Sequence, residues 1–374
     1  MATFITGATG FLGIHLLRDF LREQREVIAL VRPKQGRSGF DRLDLLLTLT
    51  GADDNVRARL QTHVRCVEGD IRAERFGLDP AEYRRLLEET DELWHCAASI
   101  TLRGDSVAPW DCNVGGIHRV LEFVEASARP VKFFPVSTVY TSGTMRTGEF
   151  GEDFPATTEV FENAYEKSKQ YTEKLIHDWW LRTGNPCVVF RTSILISDRS
   201  GVDDFPGHTL LAVARRLRAL LMASPPDEAV RVRWPVDPLA TINMVPVDYA
   251  VELMMAMAKT SEGTSLPRAI HIVNPSETSI HTMRMALEET CDVRIRAVPG
   301  YPARATHAEY RLYRLIGPFF PYFNHRRTYS TDGVKHASFA LPKCPVVDQA
   351  YMIRSLSALR TSIPVSYGLE ELKR

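Results

Sequence analysis

The sequence has no Cys-x-x-Cys pair, no His-Glu-x-x-His, no apolar run of about 18 residues and no net charge. Each absence closes off a class of protein. The six cysteines (66, 96, 112, 187, 291 and 344) are scattered, and Cys66, Cys96 and Cys187 lie in strand-like apolar runs where a buried free thiol is the ordinary outcome. That usage fits a reducing, cytoplasmic compartment rather than a disulfide framework. No membrane span is expected, and the first strand starts so early that no signal peptide is expected either. With 46 basic and 46 acidic side chains, nothing marks a nucleic-acid or anionic-membrane partner. No paired His/Cys cluster suggests a metal site. Lysine itself is scarce, 9 against 37 arginines.

What is present begins at Thr3. Short apolar residues run into Thr6-Gly7-Ala8-Thr9-Gly10-Phe11-Leu12-Gly13, and a helical pattern follows from Ile14 to Leu21. Strand, glycine turn and helix is the arrangement that sets backbone N–H groups and a helix N-terminus against a pyrophosphate. Gly7 allows a sharp turn, Gly10 admits a phosphate close to the backbone, and Gly13 lets the helix lie tight on the strand. The spacing is G-x-x-G-x-x-G. A nucleotide cofactor is expected there.

The 374 residues, 44% hydrophobic, suit one large α/β domain with a smaller companion. Strands are expected at 26–31, 64–71, 92–98, 131–136 and 188–196, alternating with helices, which argues a doubly wound parallel sheet covered on both faces. After the second strand come Arg32, Lys34, Arg37 and Arg42, with no acid before Asp41. Basic side chains at that strand end accommodate the 2′-phosphate of NADP, whereas an acid would hold the 2′-hydroxyl of NAD. Arg32 is the first candidate and Arg42 the second. Asp70 and Ile71 stand where an adenine ring would lie, or else cap a strand. Ala97 and Ala98 are small enough for backbone to approach the cofactor. Asn113 opens the next helical stretch, and His95 reads as a core histidine. From residue 201 the pattern changes. Residues 1–200, with returns at 241–275, read as the dinucleotide-binding domain; 201–240 and 276–374 read as the smaller substrate-binding region. The run Pro318 to Phe323 suits a substrate mouth, a dimer contact or plain packing.

Tyr165 and Lys169 sit one helical turn apart and share a face. Twelve tyrosines and 9 lysines placed at random over 374 positions would make about 0.3 such pairs, so position matters more than spacing. The pair follows a strand ending Ser137-Thr138, inside a fold already marked for a dinucleotide. An ammonium beside the phenol favours the phenolate and lowers its pKa, which suits proton transfer to a developing alkoxide. Thr138 is expected at the carbonyl oxygen, with Ser137 turned to the other face of the strand.

These residues resemble the extended short-chain dehydrogenase/reductases. LVR at 30–32, EGDI at 68–71, WHCAAS at 94–99, Asn113-Val114-x-Gly116, VSTVY at 136–140, MVPVDYA at 244–250 and HIVNP at 271–275 narrow the resemblance. They are similar to the thioester reductase branch, comprising terminal domains of carboxylic acid reductases and peptide synthetases and the fatty acyl reductases. The resemblance implies NADPH-dependent hydride delivery to an acyl thioester on coenzyme A or a carrier protein, releasing an aldehyde or alcohol. It implies Thr138, Tyr165 and Lys169 as the catalytic set, with Lys169 also on the nicotinamide ribose. Family members often follow a carrier domain and a leading helix, neither of which precedes this first strand. Ile117 and Arg191-Thr192-Ser193 also depart from the usual pattern. A carbonyl reductase, a nucleotide-sugar epimerase or dehydratase holding NAD, and a non-catalytic NADPH sensor are the competing readings. The acyl group and the oligomeric state are not legible.

Overall fold

The computed structural model describes residues 2–34, 36–102, 107–199, 206–222, 231–260, 268–335, 337, 340–357 and 359. Its centre is a parallel sheet of seven strands. The first strand, Ala2–Thr6, lies between Glu26–Val31 and Thr90–His95, with Ile5 level with Ala29 on one side and Trp94 on the other. Val64–Glu68 extends the sheet beyond the second strand. On the other side follow Lys132–Thr138, Val188–Thr192 and Arg268–Ile272. The winding therefore reverses at the first strand, and a crevice opens beyond the carboxyl ends of Ala2–Thr6 and Thr90–His95.

Residues that are apolar on both faces, such as Val188-Val189-Phe190, belong in a sheet covered on both sides, and here all three are buried. Phe11–Arg22 and Val247–Thr260 pack on one face. Gly116–Ala126 and Ala164–Thr183 pack on the other. The long helix Ala164–Thr183 is delimited by local chemistry. The Asn163 side chain accepts a hydrogen bond from the Glu166 N–H at its start, and Gly184 ends it at φ +66°.

A separate hydrophobic core forms the smaller lobe. It gathers Leu210, Leu217, Trp234, Met283, Leu312, Phe320 and Phe323 from helices, a two-stranded ribbon and the aromatic run near 320. The aromatic run is thus largely packing, since Phe320, Tyr322 and Phe323 are buried in this lobe. One expected strand falls elsewhere than expected. Met244–Pro246 does not rejoin the main sheet but pairs with Ile194–Ile196 in a short parallel ribbon. The Val188–Ile196 run divides at Ser193, whose N–H turns to the Ile272 carbonyl. Among the described residues no helix is long and apolar enough to cross a membrane.

Candidate active site

At the crevice the first strand gives way to the turn Gly7–Gly10. Gly7 has φ +75°, and a Cβ there would stand 2.5 Å from the Ala97 backbone nitrogen. A Cβ on Gly13 would stand 2.2 Å from the Gly7 carbonyl oxygen. The turn is thus pressed against both the loop after the fourth strand and the first turn of its own helix. Gly10 caps that helix without any side chain to satisfy the N–H groups of the first turn. Backbone donors at a helix start with no capping side chain fit the pyrophosphate of a dinucleotide.

The neighbouring residues brace this cradle. Thr6 Oγ1 lies 2.8 Å from His95 Nδ1, and burial holds the imidazole neutral, its pKa pushed down to about 3. His95 is therefore a core histidine, and no metal-binding cluster occurs among the described residues. Arg42 donates to the Arg32 carbonyl at 2.7 Å and lies 3.5 Å from Thr9 Oγ1, tying the second strand's end to the glycine turn. Arg32 is exposed beside it. Asp41, the first acid after the second strand, is held in the cap of the following helix by Ser38. Asp70 pairs with Arg72 at 2.6 Å; that hydrogen bond keeps its carboxyl below the usual range, and Arg32 contributes. Ile71 is buried against Gly116. Ala97 is half-buried and Ala98 exposed along the crevice loop.

Asn113 is buried in a π-helical turn and secures three partners. Its side chain accepts from Ser99 N–H and donates to the Ser99 carbonyl and to Ser168 Oγ. Ser168 in turn donates to the Tyr165 carbonyl. Asn113 thus joins the crevice loop to the helix that carries Tyr165 and Lys169.

Ser137 and Thr138, at the end of Lys132–Thr138, have different partners. Ser137 Oγ donates to Glu173 Oε1 at 2.6 Å and is committed to that carboxylate. Thr138 Oγ1 donates to the Thr192 carbonyl at 3.3 Å and accepts from the Tyr140 N–H, and it is the polar side chain that acts on the Tyr165 phenol. Lys169 is buried, its ammonium donating to the Val136 carbonyl at 2.7 Å. Burial pushes its pKa down to about 8. The phenol departs from expectation: burial raises its pKa, and the group that pulls it back is Thr138 rather than the lysine. The reason is the direction of the ammonium, which is drawn to the strand carbonyl one turn further along the helix.

Three groups of residues escaped sequence reasoning. Arg191 and Glu173 form a fully buried ion pair at 2.7 Å beneath Ser137, and a lone arginine inside an apolar strand was the available signal. Tyr322 of the smaller lobe donates to Glu166 Oε1 at 2.6 Å, beside Tyr165. Asn243, Glu277 and Arg327 line a small cavity with Tyr140, and no local spacing announces them. A cavity of about 280 Å³ lies elsewhere on the smaller lobe, lined by Ile280, Arg284 and Arg296 among others. None of the chemistry-bearing residues above touches it.

A parallel sheet that reverses its winding beside a glycine-lined helix start is a dinucleotide-binding fold, and the family match places the chain among NAD(P)-dependent oxidoreductases of the extended short-chain dehydrogenase/reductase type, in the branch of the thioester reductases. More narrowly, the chain belongs to the family described as Male sterility protein, whose NAD-binding model matches residues 5–254. It is 28% identical over 314 residues to the non-canonical nonribosomal peptide synthetase cpsA of Aspergillus campestris, spanning 79% of this chain and 28% of that protein. It is 24% identical over 278 residues to a putative fatty acyl-CoA reductase of Drosophila melanogaster, spanning 66% of this chain and 52% of that one. The chain therefore spans between about a quarter and about half of these relatives. Its fold matches the terminal R domain from the myxalamid PKS-NRPS biosynthetic pathway at TM-score 0.77 and 24% identity, over 96% of this chain and 90% of that one.

Proposed function

We propose that this protein is an NADPH-dependent reductase of an acyl thioester, carried on coenzyme A or on a carrier protein, releasing an aldehyde or, after a second round, an alcohol. One observation carries the reading: Thr138 at the end of Lys132–Thr138 acts on the Tyr165 phenol, and Lys169, one turn along the same helix, is buried with its ammonium on the Val136 carbonyl of that strand. Gly7, Thr9, Gly10, Phe11, Leu12 and Gly13 would hold the pyrophosphate of the cofactor. Asp70, Ile71, Ala97, Ala98 and Asn113 would line its adenosine and nicotinamide sides. Arg32 would meet the 2′-phosphate, with Arg42 bracing it. Support for the phosphorylated cofactor comes from the exposed Arg32 and from Asp41, whose carboxylate is engaged in a helix cap.

A bound reduced nicotinamide supplies hydride to the carbonyl carbon. The chain's own residues manage the oxygen. Thr138 and Tyr165 are two hydroxyl donors for the negative charge that develops there, and one such donor is worth about 3 kcal/mol in a comparable oxyanion site. Tyr165 gives its proton to that oxygen, and Lys169, its ammonium turned to the Val136 carbonyl, would hold the nicotinamide ribose. Collapse of the resulting hemithioacetal expels the thiol and leaves the aldehyde. The glutamate-arginine pair below keeps the strand end rigid while this happens.

The test offers acyl-coenzyme A and acyl-carrier thioesters with NADPH and follows the reduced nicotinamide absorbance. Oxidation of NADPH matched by free thiol is expected. Turnover of ketones or aldehydes with no thioester accepted would contradict the reading and favour a plain carbonyl reductase. That second reading has its own support, 26% identity over 288 residues to the aldehyde reductase lnaA of Aspergillus flavus.

A further inference from the structure

Between the sheet and the smaller lobe lies a cavity of about 10 Å³, room for one water-sized group. It adjoins the candidate active site through two links. The Tyr140 N–H donates to Thr138 Oγ1, and Tyr322 bonds Glu166, the residue after Tyr165.

Most polar groups around it are already occupied. Arg327 donates to the Gly143 and Met145 carbonyls and to the Tyr329 hydroxyl. Asn243 donates to the Asn274 carbonyl and to Glu277 Oε1, and accepts from Asn274 N–H. Tyr322 is held between Glu166 and Asn163. Two groups have no hydrogen-bond partner among the described residues: the second carboxylate oxygen of Glu277 and the hydroxyl of Tyr140, a residue only 8% exposed. Neither oxygen is among the buried polar atoms left without a partner, so both remain within reach of a small polar group.

Charge points the same way. Two carboxyls, Glu166 and Glu277, act on the single guanidinium of Arg327. His325, also at the cavity, is held neutral by burial, its pKa pushed down to about 3. Burial lifts Glu277 to about 7, against the pull of Asn243 and Arg327. The surroundings thus present two acceptor oxygens without a partner, and two carboxyls share the Arg327 guanidinium while Arg146 is held against His325. A compact cation rich in donors complements both, and a primary ammonium is the size of one heavy atom.

Resting on the reductase reading above, we propose that this cavity receives an amino group of the substrate, so that the preferred class is an amino-bearing acyl thioester rather than a plain fatty acyl one. Glu277 and Tyr140 would be its recognition pair.

The experiment uses pairs of coenzyme A thioesters that differ only in one amino group, β-alanyl with propanoyl and 6-aminohexanoyl with hexanoyl. The same pairs, as non-reducible amides of pantetheine, are titrated by calorimetry with NADPH present. At least one amino-bearing member should exceed its partner about tenfold or more in kcat/KM, and in affinity as the amide. In Glu277→Gln, which keeps an oxygen for Asn243, and in Tyr140→Phe that ratio should fall toward one. Desamino members favoured throughout, or a ratio that neither substitution changes, would overturn the proposal. If no thioester is reduced, the reductase reading fails, while the amide titrations still decide what the cavity binds.

Discussion

The two sides of the crevice are held in shape by different means. On the sheet side, backbone does the positioning: Gly7 and Gly13 fit only because they lack a Cβ, and strand register places Thr6 beside His95. Toward the smaller lobe, side chains do it: Tyr322 to Glu166, Asn243 to Glu277, and Arg327 to the carbonyls of Gly143 and Met145. The first kind of construction tolerates almost no added atoms but many changes of polarity. The second reverses that, tolerating changes of size that keep the donors and acceptors. A cofactor common to many proteins belongs on the rigid side, and a substrate that varies belongs on the other.

The sharpest way to break the backbone-built side is Gly13→Ala. Its methyl group would meet the Gly7 carbonyl at 2.2 Å, so the strand and helix must separate. Cofactor binding is expected to vanish in calorimetry, with stability lower by about 3 kcal/mol. Retained NADPH binding would show that the turn can yield. Next, Glu173→Gln leaves Arg191 charged and unpaired where both groups are 0% exposed. A loss of roughly 3–5 kcal/mol is expected in denaturant unfolding, since breaking a buried pair is far worse than never having one. A change under about 1 kcal/mol would mean that the pair is not what secures Ser137 and the strand end.

A smaller effect separates cofactors. Arg32→Ala should weaken NADPH by about tenfold or more and leave NADH nearly unaffected, as a charge-assisted contact to phosphate is worth ~1.5–3 kcal/mol. Equal losses would remove the 2′-phosphate role. The mildest test is pH. Burial brings Lys169 to about 8, so the ammonium is present below that value and lost above it. The profile of kcat/KM, which reports the free enzyme, should therefore fall as pH rises through about 8. In Lys169→Arg whatever activity survives should lack that limb, because a guanidinium does not titrate there.

The same contrast explains what the sequence disclosed. The glycine turn, the alternating strands and the Tyr165–Lys169 spacing are local, each fixed by residues within one turn or strand of one another. The Asn163 cap and Gly184 stop delimit the long helix within a few residues. The contacts of the smaller lobe join residues far apart in the chain, Glu166 with Tyr322 and Gly143 with Arg327, and no spacing encodes them. Lys169 is the instructive middle case. Its place on the helix followed from sequence, but the direction of its ammonium depends on where the Val136 carbonyl lies, which only tertiary packing decides.

Tyr165→Phe tests the central claim most directly, because it removes one hydroxyl and leaves the ring that packs beside Thr138. With a thioester substrate and NADPH, turnover should fall by ~10²–10⁴ while NADPH affinity stays within about twofold. Turnover unchanged at undiminished cofactor binding would mean that the proton comes from elsewhere, and Tyr165 would lose its role as the acid.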